Sequence, residues 1–228
     1  MYLVGAGVLG AGLAAHASSL VYDNLQTPDP LGRYIGGVGS YEEIADDILM
    51  KSGGVFTSAT VAYEISPPFQ GPVSLTLTLR RLDGPPTPVT DPLMTPGSVL
   101  YTETIDLDGG GLAVFTDPTP DVLLPSYIVV GLTFHGLDPA SNSDAGPALY
   151  HPPVAPGDSF SDYWLKPING DWELRDLLGP NSELIPANFG LQISVIPEPR
   201  AWAVVTGLGA LLTVALRRRF QHRRQDVC

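Results

Sequence analysis

The side chains best suited to acid-base work or metal ligation in this 228-residue chain are its four histidines, and they are scattered. His16 and His222 lie near the two ends, and His135 and His151 stand alone between them. Neither of the inner pair has a second histidine at ligand spacing, and zinc would need further ligands from a chain whose only cysteine is Cys228. His135, closing an apolar run, reads as structural, and His151 before Pro152-Pro153 reads as a loop residue. No Gly-x-Ser-x-Gly elbow is present, so a serine nucleophile has no recognisable frame. Asp106-Leu107-Asp108-Gly109 spaces two carboxylates and a turn glycine as a calcium loop begins, but it lacks the third ligand and the distal Glu. It reads as a hairpin turn with solvated carboxylates, with calcium at Asp106 and Asp108 left open. Asp46-Asp47 carries a similarly weak signal.

Aromatic residues give the best binding candidate. Tyr150, Phe160, Tyr163, Trp164 and Trp172 fall in a segment rich in Pro, Gly and Asp. Rings beside carboxylates can stack on a sugar and accept its hydroxyl protons, so Tyr163, Trp164 and Trp172 are candidate glycan contacts. The competing reading is that the same rings fill a core. No catalytic residues and no cofactor are assigned, and the chain is not read as an enzyme. Gly5-x-Gly7-x-x-Gly10 matches a dinucleotide fingerprint on paper, but no strand precedes it and no βαβ unit follows.

Such residues would be positioned by strands. In Val73 to Leu79 (VSLTLTL) every second residue is apolar, the pattern of a half-buried antiparallel strand. Similar runs recur at Val55 to Ile65, Val99 to Leu107, Leu112 to Thr116, Tyr127 to Phe134 and Phe189 to Ile196. Clusters such as Pro67-Pro68, Gly84-Pro85-Pro86 and Asp108-Gly109-Gly110-Gly111 punctuate them. The expected fold is mainly β, a single antiparallel β-sandwich of jelly-roll type. The proline-rich stretch from Gly84 to Gly97 reads as a hairpin loop. Two helical pieces are expected besides. One is Tyr41 to Met50, with Tyr41, Ile44, Ile48 and Leu49 at helical spacing after a possible N-cap at Ser40, although Ile48 to Met50 equally suits the start of a strand. The other is a short turn over Trp172 to Leu178.

Both ends read as targeting segments. Tyr2 to Ala15 is apolar and glycine-rich, and Ala15-His16-Ala17 has the small-x-small form of a signal-peptidase site, giving a signal peptide over residues 1–17. Ala201 to Leu216 is uncharged and apolar. As a helix its 16 residues would span about 24 Å, short of the roughly 30 Å hydrocarbon layer, a gap that flanking arginines can close by snorkelling. Arg217-Arg218-Arg219, with Arg223 and Arg224, puts the C-terminus on the cytoplasmic side by the positive-inside rule. The domain between, residues 18–195, would then lie across the membrane in the periplasm, as export by a signal peptide also requires.

Charge fits that arrangement. Six of the 12 basic residues but only two of the 24 acidic ones lie beyond residue 195, leaving six bases against 22 acids, a formal charge of −16, between the targeting segments. A surface so negative repels phosphate backbones and excludes nucleic acid as a partner. With one cysteine in the chain, no intramolecular disulfide can form.

Val195-Ile196-Pro197-Glu198-Pro199, one apolar segment and a terminal arginine cluster together resemble the PEP-CTERM sorting signal of Gram-negative bacteria, over residues 196–228. The resemblance implies recognition of Pro197, Glu198, Pro199 and Arg217 to Arg219 by exosortase, a membrane-embedded transpeptidase-like enzyme often found in bacteria that make exopolysaccharide. The body more weakly resembles choice-anchor R type domains, in Tyr22-Asp23-Asn24-Leu25, Ile44-Ala45-Asp46-Asp47, Tyr163-Trp164 and Asp171-Trp172. That family brings a β-rich, exported expectation and no activity. The expected function is therefore a membrane-tethered surface or matrix protein, or alternatively a carbohydrate-binding module held near exopolysaccharide. Its expected partners are the membrane, signal peptidase and exosortase.

Overall fold

The structure, a computed structural model, describes residues 17–26, 33–36, 41–66, 72–87, 94–137, 144–152, 155–179 and 181–197. Ala15 and most of the signal segment lie outside the described residues, as do Glu198, Pro199, the apolar segment 201–216 and Arg217 to Arg219.

The described residues form antiparallel β-structure. One sheet contains β1 (Ser19–Asp23), β3 (Gly54–Ser66), β6 (Gly111–Thr116) and β16 (Leu191–Pro197) in the order β1-β16-β3-β6, with β7 (Leu123–Leu124) and β9 (Asp144–Pro147) also paired to β3. The larger sheet contains β2 (Tyr41–Leu49), β4 (Val73–Arg80), β5 (Val99–Leu107), β8 (Tyr127–His135), β12 (Asp162–Pro167), β13 (Glu173–Leu178) and β14 (Leu184–Ile185). Its order is β14-β13-β12-β2-β8-β4-β5, with β11 (Asp158–Ser159) also on β2. A small pair, β10 (Leu149–Tyr150) with β15 (Asn188–Phe189), completes the set.

The two sheets share one core. Phe56, Val61, Phe115, Leu191, Ile193 and Val195 come from the smaller sheet, and Ile44, Ile48, Leu75, Leu77, Leu79, Ile128, Val130 and Leu132 from the larger. The alternation in β4 is realised as written: Val73, Leu75, Leu77 and Leu79 are fully buried, while Thr76 on the other face hydrogen-bonds Thr104 at 2.7 Å and His135 at 2.8 Å. The β4–β5 pairing makes the proline-rich stretch a hairpin loop.

Three local expectations are corrected. Tyr41 to Met50 is not a helix: β2 pairs with β8 on one edge and with β11 and β12 on the other. A lone surface helix would bury one stripe, whereas Glu43 to Ile48 are all buried, odd residues on one face and even residues on the other. Pairing on both edges and burial of both faces outweigh the weak strand propensity of an Asp- and Glu-rich run. Trp172 to Leu178 is no isolated turn either, because Glu173–Leu178 pairs with β12 and β14. Finally, Asp108 to Gly110 does not close a hairpin. β5 pairs with β4 in one sheet and β6 with β3 in the other, so this turn carries the chain from sheet to sheet. Gly109 at φ 79° provides the left-handed step that the corner needs.

The strands of both sheets run between two ends. Pro197, the turn from Met50 to Gly53, the β4–β5 loop, β7 and the start of β8 share one of them. The Asp108 to Gly110 corner and the β12–β13 turn lie at the other.

Candidate functional site

β2 carries polar groups on both faces, and each face builds a constellation. On the inner face Asp46 is fully buried. The Phe189 backbone N–H donates to its Oδ2 at 3.0 Å, and Oδ1 has no partner. Burial holds this carboxyl well above the ordinary Asp range; the Phe189 bond opposes the rise and the charges of Asp47 and Asp162 add to it. Around it, Asn24 ties β1 to β15 and β16, donating to the Phe189 carbonyl at 2.8 Å and accepting from the Leu191 N–H at 2.7 Å. The Asn24 amide also donates to the Tyr22 hydroxyl at 3.4 Å. The Ser159 hydroxyl donates to Asn188 Oδ1, and Asn188 Nδ2 has no partner. Burial first, then the Asp46 charge, raises the Tyr22 phenol far beyond the physiological range. The constellation is thus a set of hydrogen-bonding groups between the sheets, with no imidazole, amine or thiol among them.

On the outer face Arg80 grips Glu43, Nε to Oε1 at 3.0 Å and Nη2 to Oε2 at 2.7 Å, while Nη1 reaches the Gly97 carbonyl at 3.2 Å. The Trp172 ring lies 5.8 Å from the guanidinium carbon, a cation–π contact. Next to this pair, Trp164 covers Ala45 and Val129 and is itself covered by Leu82, Trp172 and Leu174. Asp47, also nearly buried, accepts from the Tyr127 hydroxyl, and its Oδ1 has no partner. Burial raises its pKa; the Tyr127 hydroxyl offsets part of the rise, and the Trp164 indole does so without closing a hydrogen bond of ordinary geometry. Asp162 is raised as well, by burial first and by Asp176 directly across the β12–β13 ladder.

The residues singled out from the sequence are dispersed. Tyr163 and Trp164 are successive residues of β12 and point to opposite faces, Tyr163 against the main core and Trp164, 2% exposed, into the outer cluster. Trp172 joins Trp164 in that cluster and itself lies over the Arg80 guanidinium. Of the other rings, Phe160 is half-exposed and meets Tyr127 edge-on at 6.1 Å. Asp106 and Asp108 are exposed on either side of buried Leu107. Among the described residues no group of three or more His, Cys, Asp or Glu is placed to hold a metal ion. Ala17 stands two residues before β1, and Pro197 pairs with Gly54 at the end of β16.

Sequence reasoning missed the Arg80–Glu43–Trp172 assembly. Its members are 37 and 92 residues from Arg80, and only the β13-β12-β2-β8-β4 strand order brings them together. The buried aspartates did leave a signal, two carboxylates inside the apolar run Ile44 to Met50, which fits a helix face as readily as a strand. No protein-family model matches the chain, and no curated protein matches it.

Proposed function

We propose that the protein is an exported, membrane-tethered surface or matrix protein of a Gram-negative bacterium, with a jelly-roll-like domain outside the membrane and a PEP-CTERM-type tail read by exosortase. The observation that carries the reading is where the described strands begin and end. The last strand ends at Pro197, the first residue of Pro-Glu-Pro, and the first strand begins at Ser19, two residues after the small-x-small site ending at Ala17. A compact β-domain is thus bracketed at both ends by the segments with targeting character. Prolines at 197 and 199 disfavour a helix continuing back from the apolar segment, leaving the motif extended at the membrane surface where a membrane-embedded enzyme can reach it. Chain passage between sheets at β2–β3, β3–β4 and β5–β6 supports the jelly-roll description. The domain contributes a stable acidic body; the address lies in the ends.

Two measurements test this. A reporter active only in the periplasm should give signal when fused after Pro199 and none after Arg219; the reverse would overturn the orientation. Mass spectrometry of protein from the native host should find no peptides beyond Pro199, and an exosortase-deficient strain should retain them. An intact C-terminus at Cys228 in wild-type cells would refute processing.

A further inference from the structure

Exposed apolar side chains are unevenly distributed over the domain. Of the eleven large hydrophobic residues left exposed among the described residues, eight lie at the end of the sandwich where β16 terminates. Leu20 is next to the start of β1, Leu49 ends β2, Leu123 pairs beside Gly54, and Leu178 faces Leu184 across the ends of β13 and β14. Phe160, beside Tyr127, is at the same end, as are Met94 and Val99 in and after the β4–β5 loop. The opposite end has only Leu112 and Ile168, and Val114 is midway along β6. Scattered apolar residues on a surface are ordinary, but concentration at one end marks a contact surface.

The chain itself indicates what covers that end. Three residues, 198–200, separate Pro197 from the uncharged apolar run that starts at Ala201. Four Cα-to-Cα steps reach at most about 14 Å, so a membrane-inserted 201–216 would hold this end, and no other, against the lipid. Lys51 and Arg81 are exposed in the turns of the same end, but so are the carboxylates of Asp83, Asp158 and Glu183, so apolar burial rather than charge would hold this end to lipid.

We propose that the Pro197 end of the sandwich is a bilayer-contact surface, with Leu49, Leu123, Leu178 and Leu184 seated in the headgroup region. The inference rests on the membrane-tethered reading above and adds a fixed orientation: the domain stands with its strand ends on the membrane. Its far end, with Asp106 and Asp108, is presented outward.

Full-length protein carrying Cys228→Ser and one new cysteine tests it. Fluorophores at Leu123→Cys or Leu178→Cys report on the Pro197 end, and at Leu112→Cys or Ile168→Cys on the far end. All four positions are exposed, so the label replaces no core contact. The protein is reconstituted into phosphatidylethanolamine–phosphatidylglycerol vesicles with and without spin-labelled lipid. Quenching several-fold stronger at Leu123→Cys and Leu178→Cys than at the far-end positions is expected. Protein that floats with the vesicles but is quenched equally at both ends would overturn the contact surface while leaving the tether intact. Protein that does not float with them would overturn both. Cross-linking between chains through Leu123→Cys without quenching would assign the surface to a second copy and likewise refute lipid contact.

Discussion

Arg80 on β4 reaches across β8 to Glu43 on β2, and the strand between them carries Gly131 where the two side chains meet. A Cβ at residue 131 would come within 1.8 Å of Glu43 Oε1. Glycine is therefore required there for space rather than for backbone conformation. The pair is largely removed from water, with side-chain exposures of 18% for Arg80 and 5% for Glu43.

Removing one partner of such a pair leaves the other charge buried and uncompensated. Glu43→Gln and Arg80→Ala should each destabilise by about 3 kcal/mol, and the double variant by clearly less than their sum. Gly131→Ala should cost a comparable amount by pushing Glu43 off the guanidinium. Urea unfolding of the three single variants and the double variant measures this; additive losses would mean that the pair is not coupled.

Asp46, Asp47 and Asp162 are all raised by burial, so the folded state keeps protons that the unfolded chain has lost. A carboxyl with a raised folded pKa favours folding at low pH, and that contribution is lost as pH rises from the ordinary Asp value near 4 through the elevated one. Stability should therefore fall as pH rises above the ordinary Asp value, by up to about 1.4 kcal/mol per pH unit for a fully buried carboxyl such as Asp46 and by less for the more exposed Asp162. Asp46→Asn keeps an acceptor for the Phe189 N–H and should flatten the curve while raising stability at pH 8. A midpoint of thermal unfolding that increases from pH 5 to pH 8 would contradict the assignment.

Trp164 and Trp172 share a cluster but differ in burial, and their substitutions should separate accordingly. Trp164→Ala opens a cavity over Ala45 and Val129 and should cost about 3 to 5 kcal/mol. Trp172→Ala removes a half-buried cover and a cation–π contact and should cost about 1 to 2 kcal/mol. Equal losses would mean that the two rings support the outer cluster alike, whatever their difference in burial.

The sequence made the strands legible wherever one face is buried and the other is wet. Val73 to Leu79 alternates in composition because its leucine face is buried while Ser74 and Thr76 on the other face keep access to water; Leu112 to Thr116 alternates in burial only, since Leu112 and Val114 fill its solvent face. β2 hid its identity for the opposite reason: with both faces covered, period two has nothing to contrast, and the spacing of Tyr41, Ile44 and Ile48 imitates a helix. The acidic constellations were visible only as isolated Asp residues, since a carboxylate in a buried strand and one in a solvated turn look alike until the ladder is drawn. Ring orientation was illegible for a related reason. Tyr163 and Trp164 are neighbours in sequence, and only the pleat sends them to opposite faces.

The domain's C-terminal strand is integral to its core. β16 lies between β1 and β3, and its inward residues Leu191, Ile193 and Val195 are fully buried. Ending the chain after Pro197 removes no described strand, so residues 18–197 should fold with the same β-sheet circular dichroism and a thermal midpoint close to that of the longer chain. Ending it after Gly190 strands β1 without a partner, opens the β3 edge and deletes three core side chains, each a substitution-scale loss of about 2 to 5 kcal/mol. Together these reach about 6 to 15 kcal/mol, comparable to the roughly 5 to 15 kcal/mol that holds a domain of this kind together. The shorter fragment should therefore be unfolded at 25 °C, by loss of amide dispersion in its proton–nitrogen spectrum. A dispersed spectrum from that fragment would show that β1 pairs directly with β3, and the sheet order β1-β16-β3-β6 would be wrong.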